Sequence, residues 1–219
     1  MKSHLTTCGI PGIGQVPYGI HMCQFCSSRE DLVDSLGPYL AAGLGNDERC
    51  LWIASSSFPA EDVATKIAKS PELNHGLASG QLRILDAVDW YGKPGSLTAE
   101  EFLQRCLQHE EQALADGHQG LRIAGDMSSV RRTEWDWLME CEKLLHDLLQ
   151  SRRIVMCCSY SSEDCQPVEI LDALRCHHAA LERTGPLWQV FMQESNRNRE
   201  RRYLHHPSAA ASDEMSENL

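Results

Sequence analysis

Apolar residues along the chain come in short continuous runs separated by longer amphipathic stretches. That alternation is expected of βα units wound around a mainly parallel sheet. The first run, Gly19 to Cys26, predicts a strand. Arg29 to Leu44 predicts a helix, opened by Ser27 and Ser28 ahead of Glu30 and Asp31 and ended by Gly43 and Gly45. Cys50 to Ala54 predicts a second strand, Pro59 to Lys69 a helix with Pro59 in its first turn, and Gln81 to Leu85 a third strand. Thr98 and Glu101 stand three apart as a capping box requires and predict a helix running to Asp116, closed by Gly117. Leu121 to Ala124 predicts a fourth strand ending at Gly125 and Asp126. Thr133 to Gln150 predicts a long helix with apolar positions at Leu138, Cys141, Leu145 and Leu148. The continuously apolar Ile154 to Cys158 predicts a central fifth strand, Pro167 to Glu182 a last helix, and Leu187 to Phe191 an edge strand.

The expected fold class is therefore α/β: a doubly wound, mainly parallel central sheet flanked by helices. One domain is expected over residues 9–194. Over residues 195–219 apolar density falls and Ser, Ala and Asp gather, so a frayed helix running into disorder is expected there.

A chain of 219 residues with 42% hydrophobic content can bury one full core. Its net charge of -11 argues against a broad phosphate-binding face, so direct contact with nucleic acid is not expected. The basic cluster Arg197, Arg199, Arg201 and Arg202 is interrupted by Glu200 and reads as a solvated helix end or a docking strip. No window approaches the roughly 20 apolar residues of a membrane span, and the first ten residues lack a secretory pattern. A cytoplasmic location follows as the expectation, with most of the ten cysteines as free thiols. Cys50, Cys106 and Cys141 fall in apolar-periodic segments and read as small core residues.

Nucleotide chemistry fails its first test. Between the first strand and first helix the chain reads Cys26-Ser27-Ser28-Arg29-Glu30, with no glycine to let the backbone approach a phosphate and no lysine to meet it. Gly9, Gly12 and Gly14 precede the strand and match neither phosphate-loop nor dinucleotide spacing. Ser55-Ser56-Ser57 lacks the glycines of a nucleophile elbow, and Asp126 reads as a turn cap. No enzyme is expected, and no nucleotide.

The thiols and imidazoles carry more. His21, Cys23 and Phe25 alternate on one face of the first strand, while Cys26 points to the other, which splits the Cys23-x-x-Cys26 pair. Cys158 and Tyr160 close the fifth strand. Cys165 lies just before the helix opening at Pro167, where the helix dipole favours a thiolate, and is expected to be the most reactive thiol. On helical spacing His177 points inward and His178 away. Taken singly, an inward histidine is ordinarily a hydrogen-bonded core residue and a strand cysteine is ordinarily packing.

Gly12-Ile13-Gly14-Gln15-Val16-Pro17-Tyr18-Gly19-Ile20-His21-Met22-Cys23-Gln24-Phe25 closely resembles the opening of MEDS domains, the methanogen/methylotroph DcmR sensory family. Pro38 to Leu44, Glu48-Arg49-Cys50-Leu51-Trp52, Asp89-Trp90-Tyr91, Gly120 to Gly125, Cys158-Ser159-Tyr160-Ser161 with Cys165, and His177 also fit the pattern, so the resemblance covers roughly residues 9–194. It implies a sensor in prokaryotic signal transduction, directed at small hydrocarbon derivatives such as halogenated or oxidised one-carbon compounds. The implied fold is similar to RecA-like proteins without their phosphate loop. Relatives are often fused to histidine kinases or DNA-binding domains, which implies output to such a partner. Cys26 departs from the aromatic residue common after Gln-Phe, and Cys157 and Cys176 are additional thiols.

The leading expectation is a non-catalytic sensor. Its ligand site draws on His21, Cys23, Trp52, Asp89, Trp90, Tyr91, Asp126, Tyr160 and His177. His21, Cys23, Cys158, Cys165 and His177 are candidates for a zinc, copper or iron site. Alternatives are a redox switch in which Cys165 reacts and Cys158 resolves it, and an interaction module with a vestigial pocket. Expected partners are a small molecule and a signalling protein, either a histidine kinase or a transcription regulator, with a homodimer as a further possibility.

Overall fold

The computed structural model describes residues 5–92, 97–128, 130, 132–184 and 187–192. The expected tail over residues 195–219 lies outside the described residues.

The chain runs β1 (Leu5–Thr7), β2 (Gln15–Pro17), β3 (His21–Cys26), α1 (Arg29–Gly45), β4 (Arg49–Ala54), α2 (Ala60–Ile67), α3 (Pro71–Ser79) and β5 (Leu82–Asp86). It continues through α4 (Ala87–Tyr91), α5 (Ala99–Ala115), β6 (Leu121–Asp126), a 3-10 turn (Arg132–Glu134), α6 (Trp135–Leu149), β7 (Ile154–Ser161), α7 (Pro167–Cys176), β8 (Ala179–Thr184) and β9 (Leu187–Met192). Seven strands form one sheet in the order β5-β4-β6-β7-β3-β8-β9, parallel except for the β8–β9 pair. β7 is central and β9 is an edge, as the sequence pattern predicts.

The period-2 alternation of the strands divides the core into two layers. Met22, Cys26, Cys50, Trp52 and Cys157 face one way, against Leu36, Tyr39 and Leu40 of α1 and Val63 of α2. Cys23, Leu51, Ile53, Met156 and Cys158 face the other, against Phe102 and Cys106 of α5 and Leu138, Cys141 and Leu145 of α6. The expected split of Cys23 from Cys26 is thus observed. Ser28 caps α1, accepting from the Asp31 amide at 3.1 Å, and Thr98 with Glu101 forms the expected capping box of α5.

The hairpin β1–β2, which hydrophobic patterning does not announce, is fastened to the sheet by a buried ion pair. Arg122 Nε donates to Glu48 Oε2 at 2.6 Å, and its other nitrogens donate to the carbonyls of Cys8, Tyr39 and Thr7. Gly43 makes room for it, since a Cβ there would come within 2.6 Å of the Arg122 side chain.

One predicted element is corrected. The helix expected over Pro167 to Glu182 ends at Cys176. His177 takes an extended conformation, and residues 179–184 form β8, parallel to β3. Ala179, Ala180 and Leu181 suit a helix, but pairing with Met22, Cys23 and Gln24 overrides that preference. Residues 71–79 and 87–91, where no element is predicted, are the short helices α3 and α4. Among the described residues no helix is long and apolar enough to cross a membrane.

Candidate functional site

Between the sheet and α6, four side chains of the types that can hold a metal ion come together, the last of them placed by the turn into β8. They are His21 from the start of β3, Glu142 from α6, Cys158 from β7 and His177 from the end of α7, with ligand atoms all within 4.8 Å of one another. All four are at most 1% exposed. His21 Nε2 lies 3.0 Å from Glu142 Oε2 and 3.4 Å from Cys158 Sγ. Cys158 Sγ stands 3.8 Å from the same carboxylate oxygen, and the Tyr160 hydroxyl donates to the other, Oε1, at 3.2 Å.

His177 is the most constrained member. Its Nδ1 is 2.7 Å from the Ala173 carbonyl oxygen, so that nitrogen carries the proton and Nε2 is left with its lone pair. Nε2 lies 3.3 Å from Glu142 Oε2 yet has no hydrogen-bond partner. With Glu142 ionised, two lone-pair-bearing atoms face each other inside the core. A shared proton or a cation relieves that opposition.

The electrostatics have one cause throughout. Burial pushes both His21 and His177 down to about 3, aided by neighbouring histidines, so both rings are neutral and able to act as donors to a metal. Burial raises Glu142 above the usual carboxylate range, against the pull of His177 and Tyr160. It raises Cys158 well above a free thiol, with Glu142 adding to the effect. In the absence of a cation the acids of this group are held toward their protonated forms.

Beside the cluster is a cavity of about 10 Å³ with Glu142 and Cys158 in its wall and Trp90, Tyr91, Phe102 and Met127 around it. Trp90 and Tyr91 are on α4, which folds their rings against Phe102 at centroid distances of 6.1 and 5.4 Å.

Of the residues singled out from sequence, His21, Cys158, Tyr160 and His177 meet in this cluster, and Trp90 and Tyr91 reach it through the cavity. Cys23 is on the same sheet face but outside the group of four. The rest lie elsewhere. Trp52 is buried in the opposite core layer, Asp89 is exposed on α4, and Asp126 is at the serine-rich rim pocket with Ser57, Ser128 and Ser159. Cys165 is in an outer pocket with Trp135 and Glu169. Burial, then Glu169 and Asp164, pushes its thiol up to about 11, so the helix dipole does not produce the expected thiolate. His178, expected to point outward, is buried. Its Nδ1 accepts from the His21 amide at 3.0 Å, and its ring stacks on His146 at 4.0 Å.

Glu142 was missed. Its signal was present: Leu138, Glu142, Leu145 and Leu149 are spaced as one inward helical stripe, and a lone acid on such a stripe needs a partner. Phe102 and Met127 were missed because their sequence positions carry no sign of a cavity.

The chain is thus an α/β domain with a mainly parallel sheet and a buried cluster of two histidines, a glutamate and a cysteine beside a small cavity. The sequence profile of the MEDS family, described as the methanogen/methylotroph, DcmR sensory domain, matches residues 20–178, and the chain belongs to that family. In fold it is similar to the crystal structure of a KaiC-like protein from the hyperthermophilic archaeon Pyrococcus horikoshii OT3. The TM-score is 0.58 and the identity 13%, over 87% of this chain and 89% of that one. No curated protein matches the sequence.

Proposed function

We propose that this domain is a non-catalytic sensor of a small molecule, built around a transition-metal ion held by His21, Glu142, Cys158 and His177, with a partner protein as its output. The observation that carries the reading is the unprotonated His177 Nε2 held 3.3 Å from a Glu142 oxygen with no hydrogen bond between them. Two neutral imidazoles, a thiol and a carboxyl match the donor set taken by zinc, copper or iron. Four of the six donor separations, 3.0, 3.3, 3.4 and 3.8 Å, are close to the roughly 3.3–3.8 Å edges of a tetrahedron of donors around such an ion, and all six lie within 4.8 Å. The Nδ1 contact of His177 with Ala173 is the kind of outer support that orients a metal-binding histidine.

The sensory family supports a signalling role, and the adjoining cavity would place a guest against Glu142 and Cys158, where its arrival alters the metal's surroundings. A histidine kinase or transcription regulator is the kind of partner such a domain serves.

Elemental analysis of protein purified without oxygen and without chelator tests the centre. Near-stoichiometric metal, lost in His177→Ala and kept in Cys165→Ser, is expected. A metal-free protein whose melting temperature does not rise with added zinc, copper or iron would remove the metal from the proposal. Glu142, bridged by a proton, would then be the polar contact of a guest in the cavity.

A further inference from the structure

The buried centre has a small space on one side and a large one beyond it. The inner cavity of about 10 Å³ has room for about one water-sized body. The outer pocket, about 330 Å³, is lined by Met127, Ser128, Val130, Trp135, Cys165 and Glu169 among others. Of the described residues, Met127 alone lines both and so stands between them.

Three features make that partition movable. Methionine is unbranched and adapts its shape at low cost. Met127 is just past the end of β6, with its amide hydrogen-bonded to the Ser159 carbonyl at 2.8 Å, so the backbone is held and a turn of the side chain need not move it. Gly125 leaves the space the thioether tip occupies: a Cβ there would come within 2.7 Å of Met127 Cε. One weak contact holds the closed position, the Tyr91 hydroxyl donating to Met127 Sδ at 3.2 Å.

We propose that Met127 is a hinged stopper between the outer pocket and the buried centre, held shut by Tyr91, and that it limits what reaches the centre to small species. This rests on the reading of the buried cluster as the ligand site. The size limit follows from the cavity plus the room vacated when Met127 turns outward, enough for roughly one to three heavy atoms.

Passage can be read without any metal, through the rate at which Cys158 is methylated by iodomethane in the chelator-treated protein, followed by peptide mass spectrometry. Cys106 and Cys157, both 0% exposed and outside the cavity wall, report general opening of the core. Met127→Ala should speed methylation of Cys158 at least tenfold with Cys106 and Cys157 unchanged, and should let the bulkier N-ethylmaleimide reach Cys158, from which the parent should exclude it. Tyr91→Phe removes only the hydroxyl that holds the stopper. It should give a several-fold rise with iodomethane, and it serves if the alanine variant does not fold. An unchanged rate at Cys158 in the folded variants, or an equal rise at all three cysteines, overturns the stopper. Either result is independent of metal content, which tests the centre itself.

Discussion

His177 Nδ1 is hydrogen-bonded to the Ala173 carbonyl at 2.7 Å, one helical turn back along α7. That contact decides the chemistry of the opposite nitrogen, because an imidazole with one proton at Nδ1 presents a bare lone pair at Nε2. Burial keeps the ring from taking a second proton at neutral pH. Nitrogen-15 NMR of metal-free protein at pH 7 should therefore find His177 as the Nδ1–H tautomer, with the Nε2 resonance moving when zinc is added. The Nε2–H tautomer would leave no donor for a metal at this position.

Cys158 is held far above a free thiol's range, so at neutral pH it must lose a proton before it can bind a metal. Glu142, raised in the same direction, adds whatever fraction of a proton it carries. Calorimetric titration of zinc at pH 7 in buffers of different ionisation enthalpy should show release of between about one and two protons per metal. Cys158→Ser should lower the number by about one. Identical heats in all buffers would mean that the thiol is not a ligand.

Tyr160 touches Glu142 and none of the other three members of the cluster through its hydroxyl, which makes it a positioning residue. Tyr160→Phe should cost about 1–2 kcal/mol of stability and weaken zinc binding about 10–100-fold, because the carboxylate loses the donor that aims it. A loss of stability with unchanged zinc affinity would show that Tyr160 only packs.

How much of this was legible in the sequence depends on which forces set each residue's place. The sheet, the Ser28 cap of α1, the capping box of α5 and the opposite orientations of Cys23 and Cys26 follow from local sequence pattern, and they are observed. The end of α7 does not, because His177 and His178 leave the helix only when residues 179–184 find β3, a pairing across more than 150 residues of chain. Helical spacing placed His177 inward for the wrong reason and placed His178 outward in error. Trp52 and Trp90 look alike as apolar walls until strand parity puts Trp52 in the other core layer. Glu142 was hidden by the apolar residues around it, although its position on their stripe marked it.

Arg122 and Glu48 are each 0% exposed, and their pairing joins the β1–β2 hairpin to the sheet through Thr6, Thr7 and Cys8. Removing one partner leaves the other charge buried and unpaired, a cost of about 3–5 kcal/mol. Arg122→Met or Glu48→Gln should lower the melting temperature by on the order of 10 °C for a chain of this size. Because the pair is remote from the cluster, metal content per folded molecule should be unchanged. A shift of only a degree or two would mean that the hairpin contributes little to the fold.

Acid should unfold the metal-free protein early, and the sign follows from the histidines. His21, His177 and His178 are each depressed to about 3, burial being the largest cause, while an unfolded histidine titrates near 6.5. Between those values the unfolded chain binds more protons than the folded one. Their contribution is therefore fully present above about pH 6.5 and is lost as pH falls toward 3. By pH 5 each histidine alone would remove about 2 kcal/mol, less when the three are coupled. Glu142 works the other way: its raised pKa favours the folded state more at pH 5 than at pH 7 and so offsets part of the loss. Urea midpoints should still fall steeply from pH 7 to pH 5. The fall should be shallower in His178→Asn, whose side-chain oxygen can take over as acceptor for the His21 amide without titrating. Equal slopes in the two proteins would mean that His178 is not protonated on unfolding in this range, and the buried-neutral assignment would fail for that residue.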